Sequence, residues 1–451
     1  MKYIKNMWHI KKPFLILMLC IVAAAAVAED YSLEDYLARV EKFSKDLILS
    51  RQDVEKADVT VTQARSALLP TIGVQAGYTR NLWDIEQSTP IGASTTSTGG
   101  ASPLYPLIRQ DMRTNTDNEL SLGLGVEQNV FNMKAIAALR ASRQYRDLYG
   151  TAYTEAKRQI TNAARKAYFG AVLLREMLSV REASEKNNQA AYEDMRKQYE
   201  AGMARELDML LAEVAWQQSV PAVTQARRDL ENALIQIKTL ADIELGDPIA
   251  LTTPLDSFPQ LPQEVSPEES YSRRTDYQFL LQQRDLADIS IDLALADFFP
   301  TISASLGLSR QGRGDQAKLM DTHTDVLQLG VKIALPVYTG GARRSQLEIE
   351  KINLRKHDTE LAKMRDFIQA EITRLYLSLR ESWERIGSSK ITSETADKAY
   401  RLVRLSLANG MATQLEVNTA AVRLEEAQLA YYNSVYDYLT LYFDWEKALG
   451  L

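Results

Sequence analysis

Two short stretches decide the fold, and they read Gly202-Met203-Ala204-Arg205-Glu206-Leu207-Asp208 and Gly410-Met411-Ala412-Thr413-Gln414-Leu415-Glu416. A long proline-free segment rich in helix-forming residues precedes each stretch, and another helical segment follows it. A glycine between two helical segments is typical of a helix C-cap followed by a chain reversal. Each stretch therefore predicts the tip of a long helical hairpin, and the chain contains two such hairpins.

The segments before the tips predict two very long helices, one over residues 133–201 and one ending at Gly410. At 1.5 Å per residue each would be roughly 100 Å long. Shorter helices are predicted over residues 31–68, 205–240 (with a kink at Pro221), 268–298 and 412–450. Apolar residues in the long helices recur at coiled-coil-like spacings of 4, 3 and 4, at Ile160, Ala164, Ala167 and Ala171 and at Ile368, Ile372, Leu375 and Leu379.

Four other segments change from a helical period to strict alternation, which predicts strands with one apolar face and one small or polar face. They lie within residues 72–79, 120–127, 302–309 and 327–335. The first two are separated by residues 82–118, rich in Ser, Thr, Gly and Pro, and the last two by residues 311–324. Both separating segments are predicted to be exposed loops, and the second contains His323.

The alternation suits a lipid-facing barrel, although a soluble antiparallel sheet would show the same pattern. Four strands cannot close into a barrel by themselves. An open sheet edge in lipid would leave backbone groups unsatisfied, at several kcal/mol each. If the strands enter a membrane, the chain must therefore assemble with copies of itself, most simply in a closed ring.

The N-terminus has the features of a secretory signal peptide over residues 1–28: four lysines, an apolar segment and a small-x-small cleavage site ending at Ala28. Removing it takes away four lysines and no acidic residue, so the formal charge falls from −6 to −10. An acidic exported chain is a poor partner for nucleic acid. The one cysteine, Cys20, lies in the removed segment, so the mature chain has no thiol for disulfide, metal or nucleophile chemistry.

The order of helix, strand, loop, strand and helical hairpin occurs twice, which indicates an internal duplication. The strand entries at Pro70 and Pro300 are 230 positions apart, whereas the tip glycines are 208 apart. Val130 and Val337, which follow the second strand of each half, are 207 apart, so the halves differ by about 23 residues, located between paired strands where loop length varies freely. We expect a first repeat over residues 29–241, a Pro-rich equatorial connector over 242–267 and a second repeat over 268–451.

This constellation resembles the outer membrane efflux protein family, the TolC-like channel-tunnels, over essentially the whole mature chain. Each motif is weak alone, but their order and spacing are specific. The motifs are Leu69-Pro70-Thr71-Ile72, Phe299-Pro300-Thr301-Ile302, Asn129-Val130-Phe131-Asn132-Met133, Pro336-Val337-Tyr338-Thr339-Gly340-Gly341 and the two Gly-Met-Ala tips.

The resemblance implies a mostly α fold with a β-barrel portion. Four strands per chain would contribute to a 12-stranded trimeric barrel in the outer membrane, and the helical hairpins would form a tunnel in the periplasm. It implies a homotrimer that contacts outer-membrane lipid, a periplasmic adaptor (membrane fusion) protein and an inner-membrane pump of RND or ABC type. No cofactor is implied.

The resemblance also implies roles for particular residues. Asp208 and Glu416 match acids that line the closed periplasmic aperture, although a solvated helix surface would also carry them. Thr419 and Ala412 depart from relatives that carry a second acid and a gate-locking arginine there. Adaptor contacts are expected at Gly202, Met203, Ala204, Gly410, Met411 and Ala412, which simple helix reversal would equally explain. The expected barrel lumen includes Gln75, Glu127, Gln328 and Lys332.

The leading hypothesis is a passive trimeric channel through which a partner pump expels small molecules. No phosphate-binding loop, metal-ligand spacing or catalytic constellation was found, so an enzyme is not expected. Two alternatives stay open: a type I protein secretion duct with the same fold, and a periplasmic coiled-coil structural protein without a channel.

Overall fold

Long helices and a small set of strands alternate along the chain in the computed structural model, which describes residues 29–93, 107–315 and 321–451. The predicted signal peptide, residues 1–28, lies outside the described residues. A short 3-10 helix covers Pro267–Ser270. The helices are α1 (Leu33–Phe43), α2 (Lys45–Ser66), α3 (Met133–Glu200), α4 (Glu206–Leu240), α5 (Thr275–Ala296), α6 (Ala342–Ala408) and α7 (Gln414–Leu449). The strands are β1 (Glu29–Tyr31), β2 (Thr71–Arg80), β3 (Glu86–Ala93), β4 (Leu107–Arg113), β5 (Asn118–Asn132), β6 (Ile249–Leu251), β7 (Thr301–Gly314) and β8 (Thr322–Ala334).

The chain divides into two units, which are described separately. The tip unit holds residues 29–42, 164–259 and 388–436, and so contains both hairpin tips. The sheet unit holds the described parts of residues 43–163, 260–387 and 437–451, and so contains β2–β5, β7 and β8.

In the sheet unit, four strands form an antiparallel sheet in the order β2-β5-β7-β8. Its register places the apolar residues of neighbouring strands in common rows. One row contains Ile72, Val126, Leu306 and Leu329, and the next contains Val74, Leu124, Leu308 and Leu327. These side chains are largely exposed in the single chain, so these two rows form an uncovered apolar band on one face of the sheet. Within the described chain, β2 and β8 each pair along one edge only.

The segment predicted as a loop over residues 82–118 contains two further strands, so that prediction was wrong in part. Strands β3 and β4 pair antiparallel, with a register irregularity between Pro90 and Gly92. Asn115 fixes the base of this ribbon, since its amide donates to the Trp83 carbonyl and its Oδ1 accepts from the Ile85 amide, both at 2.8 Å. The strands have no apolar face, and pairing with each other rather than core burial maintains them.

The second predicted loop, residues 311–324, is shorter than expected. Strand β7 continues to Gly314 and β8 begins at Thr322, so His323 lies in a strand opposite Gly312. The helix predicted over residues 31–68 is also interrupted, because Ser44 adopts an extended conformation between α1 and α2. Serine is a preferred N-cap residue, so the sequence offered a signal for this break, although the Ser44 side chain makes no capping hydrogen bond here.

Several predictions for the long helices are confirmed. Helix α3 has 68 residues and α6 has 67, close to the predicted limits. In the two apolar seams Ala164, Ala171, Ile368 and Leu379 are all fully buried. Within the described ranges, none of the helices is both long and apolar enough to cross a membrane.

The tip unit ties the first described residues into the proline-rich segment that follows α4. Strand β1 pairs parallel with β6, joining Tyr31 to Leu251. The hydroxyl of the fully buried Tyr168, on α3, donates to the Tyr31 carbonyl at 2.8 Å and accepts the Thr253 amide at 3.1 Å. These bonds satisfy backbone groups that would otherwise be buried without partners, so Tyr168 fixes both segments against α3.

Candidate aperture and channel-lining residues

The two tips have the same backbone geometry. Gly202 and Gly410 adopt φ values of +72° and +71°, which non-glycine residues rarely adopt. In the first tip the amide of Met203 bonds to the carbonyl of Gln198 at 2.7 Å, and the amide of Gly202 bonds to that of Tyr199 at 2.8 Å. This is the Schellman pattern of helix C-capping, and residues 406–411 repeat it.

The tip side chains predicted to contact an adaptor differ in exposure. Met203 and Met411 are each 75% exposed, and a Cβ added to Gly202 or Gly410 would meet no atom within 4 Å. Ala204 and Ala412 are half-buried. Each tip therefore presents one flexible apolar side chain on an open backbone turn, which is a surface suited to a partner protein.

Of the two predicted gate acids, Asp208 has a charged partner within its own helical turn. Arg205 donates to both carboxylate oxygens of Asp208, at 2.8 and 3.0 Å. The hydrogen bond from Arg205 and its positive charge hold the pKa of Asp208 below its usual value. Asp208 is therefore ionised at neutral pH, but the adjacent guanidinium balances its charge.

Glu416 caps the start of α7. Its Oε2 accepts the Thr413 amide at 2.7 Å and the Thr413 hydroxyl at 3.0 Å, while Thr413 Oγ1 accepts the Glu416 amide at 3.3 Å. This reciprocal arrangement is a capping box. The Thr413 amide and hydroxyl lower the pKa of the Glu416 carboxyl, so it carries its charge at neutral pH. Glu416 has no basic partner in this turn, and of the two acids it has the less balanced charge.

A polar link between the hairpins was not foreseen from the sequence. Gln414 donates from Nε2 to the Oδ1 of Asn418 at 2.7 Å, and Asn418 donates from Nδ2 to the Leu211 carbonyl of α4 at 3.4 Å. Two amides spaced i, i+4 on one helix face gave a weak signal for a shared face. Their partner lies 207 positions away, and no local pattern indicates it.

The four residues predicted to line the barrel lumen share one face of the sheet. Gln75 lies opposite Gly123, and Gln328 opposite Gly307. Glu127 lies between Thr71 and Ser305, and Lys332 opposite Ser303. This face is the reverse of the one that carries the leucine rows, because successive residues of a strand point to opposite sides.

The face with the leucine rows also carries a charged pair, Arg310 and Asp325, that was not predicted from the sequence. Arg310 bonds to both carboxylate oxygens of Asp325 at 2.6 Å, in the row that also contains Ala76 and Leu122. The rows of β7 and β8 thus change from leucine to an ion pair at this level. Continuing the alternation past Leu308 would have placed Arg310 on this face. The predicted strands ended at residue 309 and began again at 327, so Arg310 and Asp325 lay just outside them.

Among the described residues, no three His, Cys, Asp or Glu side chains are grouped so that they could hold a metal ion.

Comparison with known proteins gives consistent matches. The sequence profile described as "Outer membrane efflux protein" matches residues 38–241 and 267–451. The chain is 23% identical over 423 residues to the outer membrane protein TolC of Escherichia coli K12, covering 90% of this chain and 79% of that protein. It is 21% identical over 388 residues to the alkaline protease secretion protein AprF of Pseudomonas aeruginosa, covering 83% and 75%. The crystal structure of the Campylobacter jejuni CmeC outer membrane channel superposes with a TM-score of 0.75 at 17% identity, covering 93% of this chain and 85% of that one.

Proposed function

Because this chain belongs to the outer membrane efflux protein family, we propose that three copies assemble into one channel that a partner pump uses to expel small molecules. The chain is an outer-membrane efflux channel with a periplasmic helical part, and it is not an enzyme. The predicted family, location and fold, with long helical hairpins and four antiparallel strands, are confirmed.

The main support for a trimer is the sheet, which has two unpaired edges and an uncovered apolar band on one face. Strands β2 and β8, of 10 and 13 residues, would present unsatisfied backbone groups to lipid, at several kcal/mol each. Pairing β2 of one copy with β8 of the next removes both edges. Three copies would give 12 strands, with the leucine rows toward lipid and Gln75, Glu127, Gln328 and Lys332 toward the lumen.

The proposal also includes the predicted division of the chain into segments. Residues 1–28 are removed as a signal peptide, residues 29–241 and 268–451 are duplicated halves, and residues 242–267 are an equatorial connector. The tips at Gly202–Ala204 and Gly410–Ala412 contact a periplasmic adaptor, which joins the channel to an inner-membrane pump of RND or ABC type.

Native mass spectrometry of the mature chain in detergent tests the assembly, with a trimer as the expected species. Its electrophoretic migration should shift on heating, because a barrel resists detergent until it is denatured. A monomer that stays in solution without detergent would overturn the proposal and favour the structural coiled-coil alternative.

The resemblance to AprF, a protease secretion protein, supports polypeptide secretion as a second candidate for the cargo. Deletion of the gene should sensitise cells to small toxic compounds if small molecules are the cargo. Unchanged sensitivity together with a lost secreted polypeptide would favour the secretion duct.

We expect the Asp208→Ala/Glu416→Ala double variant to lower the cation selectivity of the channel in planar bilayers. Three copies of each acid would form rings that attract cations. Glu416→Ala alone should give the larger share of the effect, because Arg205 already balances Asp208. Glu231→Ala, an exposed acid farther along α4, is the control. Unchanged reversal potentials in the double variant would contradict the gate assignment.

A further inference from the structure

The ribbon of β3 and β4 lies at the end of the sheet opposite the helices. Strands β2 and β5 adjoin α2 and α3 at one end of the sheet and lead into the ribbon at the other end. Because the helical part of this outer-membrane channel is periplasmic, the ribbon lies on the outer side of the membrane. The eight residues of β3 span roughly 25 Å, so the ribbon is long enough to extend the channel wall beyond the sheet.

Arg113, the last residue of β4, ties the base of the ribbon to the sheet. Its guanidinium contacts the carboxylates of Asp84 at 2.8 Å, Asp117 at 2.5 Å and Asp315 at 3.5 Å. Asp84 lies in the turn before β3, Asp117 directly before β5, and Asp315 directly after β7. The Asp117 amide also donates to Asp315 Oδ1 at 3.0 Å. One side chain with several donors therefore holds the ribbon to two neighbouring strands of the sheet.

The contacts of Arg113 show which face of the ribbon continues the polar face of the sheet. Asp117 is ten residues before Glu127, and Asp315 is ten residues after Ser305, the partner of Glu127. An even spacing along a strand places both acids on the face of Glu127. The face of the ribbon that carries Arg113 therefore continues the face that is proposed to line the lumen.

The two faces of the ribbon differ in charge. The register pairs Glu86 with Arg113, Ser88 with Asp111 and Pro90 with Arg109 on the first face, and Gln87 with Met112 and Thr89 with Gln110 on the opposite, uncharged face. All of these residues are exposed in the single chain. With the three acids that Arg113 contacts, the first face and its base carry five carboxylates and two guanidinium groups. Such a face is suited to a water-filled path, where its charges act on passing ions within about 10 Å.

We propose that the three ribbons of a trimer form an outer vestibule, and that their charged faces favour cationic over anionic solutes as these leave the channel. The inference rests on the proposed trimeric channel. Arg113 is the positioning residue, since it holds each charged face toward the exit path. Arg109 and Asp111 lie beyond it on the same face and act on the solute. The vestibule is distinct from the predicted aperture acids, which lie at the hairpin tips.

Reversal potentials of single channels in a KCl gradient test the assignment of the faces. Arg109→Glu reverses one charge in each copy, so it should raise the permeability ratio of K⁺ to Cl⁻ by at least roughly twofold. Gln110→Glu is the matched control, because it places the same side chain at the adjacent residue on the opposite face, and it should leave the ratio unchanged. The effect of Arg109→Glu should shrink when KCl is raised from about 0.1 to 1 M, since the screening length falls from about 10 to 3 Å.

A double-variant cycle tests the positioning role of Arg113. Arg113→Gln removes the contacts with all three acids and so releases the base of the ribbon. Arg109→Glu should then change the permeability ratio by less than about half as much as it does in the wild type. Loss of the Arg113 charge alone would leave the effect of Arg109→Glu undiminished. Arg113→Lys keeps the charge without the geometry for three acids, so it should also weaken the effect, and it serves if the glutamine variant does not assemble.

Hydrogen exchange of the purified trimer measures the clamp without any transport. Arg113→Gln should raise amide exchange in β3 and β4 by about fivefold, the factor that corresponds to one lost hydrogen bond. Arg109→Gln is the control, because it makes the same change on the same face away from the three acids, and its exchange should match the wild type.

The outcomes separate the vestibule from the proposed function. A larger shift in Gln110→Glu than in Arg109→Glu, or no shift in either, would overturn the vestibule. An undiminished effect of Arg109→Glu in the Arg113→Gln channel would overturn the positioning role. A wild-type protein that forms no channel would refute the proposed function, while the exchange data would still decide whether Arg113 fixes the ribbon.

Discussion

The Leu329→Lys variant is expected to yield little or no trimer in outer-membrane fractions. Leu329 lies in a row with Leu306, Val126 and Ile72. On the same face the apolar row of Leu327 flanks it on one side, and Ala304 and Val331 lie on the other. A lysine on the lipid face of a barrel costs about 2–4 kcal/mol near the bilayer midplane. Because the proposed trimer would carry three copies, the total penalty is comparable with the stability of a whole domain.

A leucine-to-lysine change at Leu122, two rows further along the same face of the sheet, should be far milder. Leu122 shares its row with Arg310, which is already paired with Asp325, so this level lies at the margin of the apolar band. The penalty near the interface is about 0–1 kcal/mol, and Leu122→Lys should retain most of its trimer.

Gln328→Lys is the matched control for Leu329→Lys, because it changes the adjacent residue on the opposite face. It should assemble normally if that face lines an aqueous lumen. Heat-modifiable trimer in membrane fractions is the measurement. Normal assembly of Leu329→Lys together with failure of Gln328→Lys would show that the two faces of the sheet are assigned the wrong way round.

The long elements of the fold were predictable because their patterns are local. Helix α3 has no proline, and its seam from Ile160 to Ala171 repeats every 3.7 residues on average (11 residues in three steps), so both its extent and its buried face follow from the sequence. The four main strands follow from alternation. The same alternation assigned Gln75 and Lys332 to the polar face of their strands without any knowledge of how the strands pair.

The elements that were missed depend on partners distant in sequence. Strand β1 is three residues long and exists because Tyr31 pairs with Leu251 and bonds to Tyr168. In the sequence Asn418 is an ordinary polar residue, and only the folded structure shows that it bonds to the Leu211 carbonyl. For such contacts the tertiary environment overrides local propensity, and no window of sequence contains both partners.

Arg274→Ala should produce the largest loss of stability among single substitutions in the helical part of the sheet unit. Arg274 is 7% exposed and donates to Asp276 and to Glu371, each with a contact at 2.6 Å. It also donates to the carbonyl of Ala448, near the end of α7, where helix carbonyls lack partners of their own. Removing one partner of a buried ion pair costs about 3–5 kcal/mol. The side chains of Asp276 and Glu371 are 31% and 23% exposed, so water screens the remaining charges and the loss should lie near the lower end of that range.

The pH dependence of this loss distinguishes a buried charge from a simple packing defect. Burial raises the pKa of Asp276, but the hydrogen bond and charge of Arg274 outweigh burial and hold the pKa below its usual value. In the wild type this contributes stability above the ordinary carboxyl pKa that is lost as pH falls. Without Arg274 only the Tyr277 amide and the charge of Lys447 still oppose burial, and both are smaller causes than burial. The pKa of Asp276 should therefore rise, and Asp276 should take up a proton on acidification.

Thermal unfolding of the purified trimer at about pH 7.5 and pH 4.5 measures both effects. Arg274→Ala should lower the midpoint strongly at the higher pH and less at the lower pH, where a protonated Asp276 no longer leaves a buried charge. Arg284→Ala is the matched control, since Arg284 pairs with Asp285 and Asp358 at the surface, where such pairs contribute about 0–1 kcal/mol. Equal losses in the two variants, or a loss in Arg274→Ala that does not change with pH, would show that the buried carboxylates do not depend on Arg274. Arg274→Lys should fall between them, because an ammonium group cannot donate to both acids and the carbonyl with the geometry of a guanidinium.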